Sequence, residues 1–168
     1  IKKKAKRTWQ YFEDNMNEYN SSVFSNGKQN IAYNLDVFEA IKTIDADVIY
    51  LDPPYAGTMN DYFGFYGLLD SYIAGEQALP FENNFMDRKT IVDQFDKLFS
   101  SLSKFKYWML SYNSRSKPTK DELLSIISKY ASSVEVYEMP YAYKVTGKEK
   151  KNKDVEYLFI AKSKSYGK

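Results

Sequence analysis

The sequence predicts an α/β fold, a sheet whose strands alternate with helices and which ends in an antiparallel hairpin, and three observations carry that expectation. Val48 to Leu51 is a short β-prone apolar run that stops at the polar and rigid Asp52-Pro53-Pro54-Tyr55, as a buried parallel strand does at its carboxyl end. Phe105 to Tyr112 is a second run of this kind. Between the two, Ile91, Val92, Phe95, Leu98, Phe99 and Leu102 recur at helical spacing, which predicts a helix over 88–103. Near the end, Val134 to Met139 alternates with period two, and Val155 to Ile160 is its antiparallel partner across a tip that holds Gly147 and five lysines.

The remaining elements follow in order. Trp9, Phe12, Met16 and Tyr19 recur every three or four residues behind the basic run Lys2 to Arg7, so an amphipathic helix is expected up to Ser21-Ser22. The basic run could meet phosphates or be a solvated helix end. Ile31 to Asn34 is a short strand candidate, followed by Asp36 and a short helix from Val37. Tyr62, Phe65, Tyr66, Leu69 and Tyr72 share one side of a helix that ends near Gly75, and that stripe is expected in the core. Residues 77–87 have no period and read as a surface loop. Pro118 suits an early helical position, ahead of Asp121 and Glu122 in the first turn and a buried face of Leu123, Leu124, Ile126 and Ile127.

Composition narrows the chemistry. The 168 residues suffice for one domain with its own core, and a net charge of +2 means that any nucleic-acid surface must come from local clustering. No run of about 18 apolar residues occurs and no signal peptide is seen, so a soluble cytoplasmic protein with no membrane partner is expected. The chain has neither Cys nor His. A thiolate nucleophile, a histidine base and a Cys/His zinc site are therefore excluded, and no metal is expected.

Asp52 to Tyr55 fits one chemical need, the holding of a planar aromatic amine. Ligands of open α/β sheets bind beyond the carboxyl ends of the strands, where Asp52 and Tyr55 would stand. The prolines fix φ and remove backbone donors, which leaves acceptors facing outward. The Asp52 carboxylate and the Pro53 carbonyl offer two acceptors for the two protons of an exocyclic NH2, and Tyr55 offers a ring face to a base drawn out of a duplex. An ordinary strand followed by a Pro-Pro turn is the competing reading.

Asp52-Pro53-Pro54-Tyr55 at the end of an apolar strand resembles the catalytic motif of S-adenosylmethionine-dependent amino-methyltransferases, above all the Dam-type adenine-specific DNA methyltransferases of the α-arrangement. The resemblance continues through Asn60-Asp61-Tyr62, Phe65-Tyr66-Gly67-Leu68-Leu69 and Trp108-Met109-Leu110-Ser111-Tyr112-Asn113, and covers the chain from about Asn30 onward. It implies a Rossmann-like methyltransferase sheet and methyl transfer to the exocyclic amine of adenine in double-stranded DNA, in a restriction-modification or related bacterial or phage system. Asp52, Pro53, Pro54 and Tyr55 would be catalytic. Asp36, Val37, Phe38 and Asp52 would hold the cofactor, with Asp36 accepting from its adenine amine. An Asp36 that only caps the following helix remains equally open. Tyr62, Ser111, Tyr112 and Asn113 would wall the pocket for the flipped base, and Arg115 and Lys117 would meet phosphates or be ordinary exposed cations.

The resemblance also exposes a gap. The family's glycine-rich loop, Phe-x-Gly-x-Gly in the Dam-like group, cradles the methionine part of the cofactor, and no Gly-x-Gly occurs here. Because that loop precedes the Asp-Pro-Pro-Tyr strand in the Dam-like order, residues 1–29 are expected to be the end of a recognition region or a linker helix. Residues 30–168 would be the carboxyl-terminal half of the catalytic domain, partnered by an upstream half that carries the loop. Methylation of cytosine carbon, which proceeds by cysteine attack, is ruled out by composition. Methylation of the cytosine exocyclic amine or of a guanine amine in RNA, and a non-catalytic nucleic-acid-binding remnant, stay open as alternatives.

Overall fold

Val48–Leu51 (β1), Tyr107–Asn113 (β2), Ala131–Tyr141 (β3) and Asp154–Ser163 (β4) form one sheet in the order β1-β2-β4-β3, in a computed structural model that describes residues 2–56, 62–79, 83–141 and 154–166. The helices are α1 (Lys2–Ser22), α2 (Val37–Thr43), α3 (Tyr62–Ala74), α4 (Ile91–Ser100) and α5 (Lys120–Tyr130). β1 is parallel to β2, and β4 is antiparallel to both β2 and β3. A parallel step needs a long crossover, which the segment carrying α3 and α4 supplies. The expected hairpin is present, with Val136 opposite Phe159, while its tip at 144–153 lies outside the described residues.

Period two sorts the side chains of the sheet onto two faces. Trp108, Leu110 and Tyr112 of β2, Phe159 and Ala161 of β4 and Leu51 of β1 are buried, and they join one core with Ile41 of α2, Phe95, Leu98 and Phe99 of α4, and Leu123, Ile126 and Ile127 of α5. Each large apolar side chain buried there contributes roughly 1.5–3 kcal/mol. The polar atom of the largest one is satisfied locally: Trp108 Nε1 donates to the carbonyls of Leu102 at 3.0 Å and Phe105 at 3.1 Å. α5 starts with a capping box in which Thr119 and Glu122 each bind the other's backbone N–H. Pro118 therefore precedes the cap and is not the early helical residue that its φ suggested. The helix expected over 88–103 is shorter, because Thr90 takes the N-cap position and the chain turns after Ser100. Leu102 and Phe105 stay buried beyond that turn.

Three expectations are corrected. Ile31 to Asn34 forms no strand; its residues are exposed and no neighbouring strand supplies a ladder. β1 is not buried on both sides: Val48 and Tyr50 are exposed, and β1 ends the sheet with β2 as its one partner among the described residues. The aromatic stripe of α3 is not core, since Tyr66, Leu69 and Tyr72 are exposed; the side chains of Tyr62 and Phe65 lie outside the described residues. The helical spacing was right, but spacing says only which residues share a face. On the inner side of α3, Gly67 packs so closely on Phe63 that a Cβ would come within 2.7 Å of the ring. The amphipathic helix α1 runs from Lys2 to Ser22 and ends at the serines expected to end it.

The structure divides the chain after Asn34. In the first unit, α1 exposes Trp9, Tyr11 and Tyr19, and Trp9 packs on Phe12 with ring centroids 5.5 Å apart. The second unit, from Leu35, holds the sheet. Among the described residues no helix is long and apolar enough to cross a membrane.

Candidate active site

Leu51 pairs with Leu110, so Asp52 and Ser111 open the carboxyl edge that β1 and β2 share. Asp52 is exposed there, and Pro53, Pro54 and Tyr55 are half-buried. The segment is fastened at its far end. Ala56, fully buried, forms an isolated bridge with Lys117, whose N–H donates to the Ala56 carbonyl at 3.3 Å. The Tyr112 hydroxyl in turn donates to the carbonyl of Lys117. The Tyr112 ring meets Tyr55 edge to face at 5.6 Å, which closes a loop of contacts from Tyr55 through Ala56 and Lys117 back to Tyr55.

Tyr112 is therefore not a pocket wall, because it lies in the core and backs Tyr55 from behind. Its phenol is pushed well above the ordinary tyrosine range, first by burial and then by Tyr55. Burial pushes Tyr55 up to about 12; a hydrogen bond with Ser111 works against this, and the negative charges of Glu156 and then Asp52 add to it. Both phenols are neutral at physiological pH.

The other expected residues fall around this edge. Ser111 touches Tyr55 through its hydroxyl. Asn113 is committed at both ends, its Nδ2 donating to Glu156 Oε1 at 2.8 Å and its Oδ1 accepting from the Arg115 N–H at 2.9 Å. The Arg115 guanidinium is paired with Asp154 at the start of β4, and Lys117 Nζ is 3.4 Å from Glu122. The side chain of Tyr62 lies outside the described residues.

Asp36, Val37 and Phe38 stand at a separate place, the start of α2. Asp36 is the N-cap: its Oδ1 accepts from the Phe38 N–H at 2.8 Å. The carboxylate is exposed, and among the described residues its other oxygen takes no hydrogen bond. Asp36, Phe38, Glu39 and Lys42 line an open cleft of about 690 Å³ together with Lys97 and Lys104. Val37 packs on the core, and the Phe38 ring carries Lys97 Nζ 4.2 Å from its centroid.

Two places far apart in sequence are joined by rings. Phe38 stacks on Phe85 at 6.4 Å, Phe85 meets Phe95 at 5.5 Å, Phe95 meets Tyr112 at 5.5 Å, and Tyr112 meets Tyr55. Phe85, Phe95 and Glu156 escaped the reading of the sequence as site residues. Phe95 was visible only as core and Phe85 only as part of a loop. The signal for Glu156 was its place opposite Asn113, which requires the β2–β4 register.

A family model for D12 class N6 adenine-specific DNA methyltransferases matches residues 1–131. The chain is 53% identical to the type II methyltransferase M2.HphI of Haemophilus parahaemolyticus, over 92% of this chain and 46% of that protein. It is 26% identical to the modification methylase StsI of Streptococcus sanguinis, over 88% of this chain and 24% of that protein. It is 28% identical to the type II methyltransferase M.FokI of Planomicrobium okeanokoites, over 82% of this chain and 23% of that protein. The chain thus spans less than half the length of these relatives. No solved structure matches it.

Proposed function

The chain belongs to the D12 class N6 adenine-specific DNA methyltransferase family, and from that premise we propose that it carries the amine-methylating edge of an enzyme that methylates N6 of adenine in double-stranded DNA. The observation that carries this reading is the fastened Asp52 to Tyr55 segment beyond β1. Its acceptors are open to solvent at one end, and its aromatic ring is backed by Tyr112 at the other. Asp52 and the Pro53 carbonyl take the two amine protons, which turns the nitrogen lone pair toward the donor. Pro54 keeps the turn rigid. Tyr55 presents its ring to the flipped base, and a neutral phenol suits stacking. Ser111 and Asn113 border the pocket beside Tyr55.

S-adenosylmethionine supplies the methyl group, carried on a sulfonium. The residues at the start of α2 fit its adenosine end. Asp36 has a carboxylate oxygen left over from the cap to accept an amine proton, Val37 and Phe38 border the base, and the cleft beside them has the volume. Asp52 stands at the reacting end. Lys117 is the better candidate for a DNA phosphate, since its exposed pairing with Glu122 is worth about 0–1 kcal/mol and is readily exchanged. Arg115 would have to release the nearly buried Asp154 first.

The methionine end calls for a glycine-rich loop that this sequence lacks, and we assign that part to an upstream half of the enzyme. The bare edge of β1 and the exposed Val48 and Tyr50 support the assignment. The names of the relatives, type II methyltransferase and modification methylase, support a restriction-modification setting. The test is product analysis: the complete enzyme is given duplex DNA and a labelled methyl donor, and the nucleosides are identified by mass spectrometry. N6-methyladenine is expected. N4-methylcytosine would overturn the choice of base, and DNA binding without any methyl transfer would favour a non-catalytic role.

A further inference from the structure

Glu156 lies on β4 directly opposite Asn113, on the sheet face that α4 and α5 leave uncovered. Its two oxygens are treated differently. Oε1 accepts from Asn113 Nδ2 at 2.8 Å, whereas Oε2 is buried and has no hydrogen-bond partner among the described residues. Withholding a polar atom from both water and protein is unfavourable, and more so for a charged group. Asn113 gives its hydrogen bond to Oε1 and not to Oε2. The Arg115 guanidinium turns its Nε to Asp154. The chain thus holds a carboxylate in place, at a cost, one strand away from Ser111 and Tyr55. Its charge reaches the site: among the charges acting on the Tyr55 phenol, Glu156 comes first, ahead of Asp52.

Methyl transfer to an amine moves a positive charge from the sulfonium sulfur to the amine nitrogen. The nitrogen lone pair forms the new N–C bond while the C–S bond of the sulfonium donor breaks and its electron pair stays on sulfur. The nitrogen is left cationic until it loses a proton to water. A fixed negative charge near that nitrogen favours the second half of the charge transfer and costs no reorganisation when the reaction occurs. Resting on the amine-methylation reading above, we propose that Glu156 is a positioning residue which, clamped by Asn113, sets a second fixed negative charge behind Tyr55 for the nitrogen cation. Asp52 touches the amine; Glu156 acts across Tyr55 and Asn113 without touching the base.

Glu156→Gln in the complete enzyme keeps the shape and the bond from Asn113 and removes the charge. The single-turnover rate of methyl transfer is expected to fall about tenfold or more. DNA affinity and the emission of 2-aminopurine at the target position, which reports base flipping, should match the wild type. Binding gives a readout that needs no turnover: an S-adenosylmethionine analogue with a protonated amine in place of the sulfonium methyl, compared with the neutral thioether product. The preference for the cationic analogue should drop several-fold in Glu156→Gln and be largely kept in Glu156→Asp. A rate and an analogue preference within about twofold of wild type would overturn the proposal, as would a loss of flipping and DNA binding that accounts for the whole loss of rate. A wild-type enzyme that methylates no adenine would instead defeat the function proposed above, and the analogue preference would still decide the placement of the charge.

Discussion

On the sheet face turned toward α4 and α5, Trp108, Leu110, Tyr112 and Phe159 are each 1% exposed, whereas on the opposite face Val48, Tyr50, Tyr137 and Met139 are 48–68% exposed. The same four strands make both faces. Among the described residues from Leu35 onward, helices cover one of the two faces, and apolar surface left in water gains nothing from folding. Sheets with parallel strands are commonly layered on both sides, so the open face has the character of a surface made to be covered. The first face holds the fold together, and the carboxyl edge between the two is where we propose the chemistry to occur.

The comparison breaks most visibly if the two faces respond alike to truncation. Trp108→Ala, on the covered face, should cost about 3–5 kcal/mol, read as a lowered midpoint in urea unfolding. At the edge, Asp52→Ala should leave that midpoint nearly unchanged and lower methyl transfer by the complete enzyme about a hundredfold or more. Near-normal turnover by this variant would remove Asp52 from the reaction.

How far the sequence foretold these roles depends on how local each signal is. β1 was legible to the residue, because a β-prone run meeting Asp52-Pro53-Pro54 fixes its own end. The hairpin was legible because both halves alternate. Ile31 to Asn34 has the composition of a strand, yet a strand exists only with a ladder partner, and partners are not local. The α3 stripe failed likewise: periodicity located the face shared by Tyr66, Leu69 and Tyr72 but could not say what would cover it. At the site, Asp52 to Tyr55 and Ser111 stood out by motif and strand end. Tyr112 was assigned to the pocket and proved to be the support behind Tyr55, since alternation along β2 turns it to the helices. Glu156 needed the register of β2 on β4.

Smaller effects sharpen the division. Tyr55→Ala should lose about 1–3 kcal/mol of base binding, measured with 2-aminopurine duplexes, while Tyr55→Phe keeps most of it. Equal damage from both would give the hydroxyl the role assigned to the ring. On the open face, Tyr50→Ser should move the unfolding midpoint of this chain by no more than about 0.5 kcal/mol. A large loss there would mean that this face is already covered.

The central claim is that this chain brings the amine edge and the adenosine cleft, and that the methionine end of the cofactor is held by an upstream half. Calorimetric titration of S-adenosylmethionine into the 168-residue chain, with folding verified by circular dichroism, tests it most directly. The account predicts weak or undetectable binding by the chain alone, and tight binding once the part with the glycine-rich loop is added. Tight, stoichiometric binding by the folded chain as a monomer would contradict it.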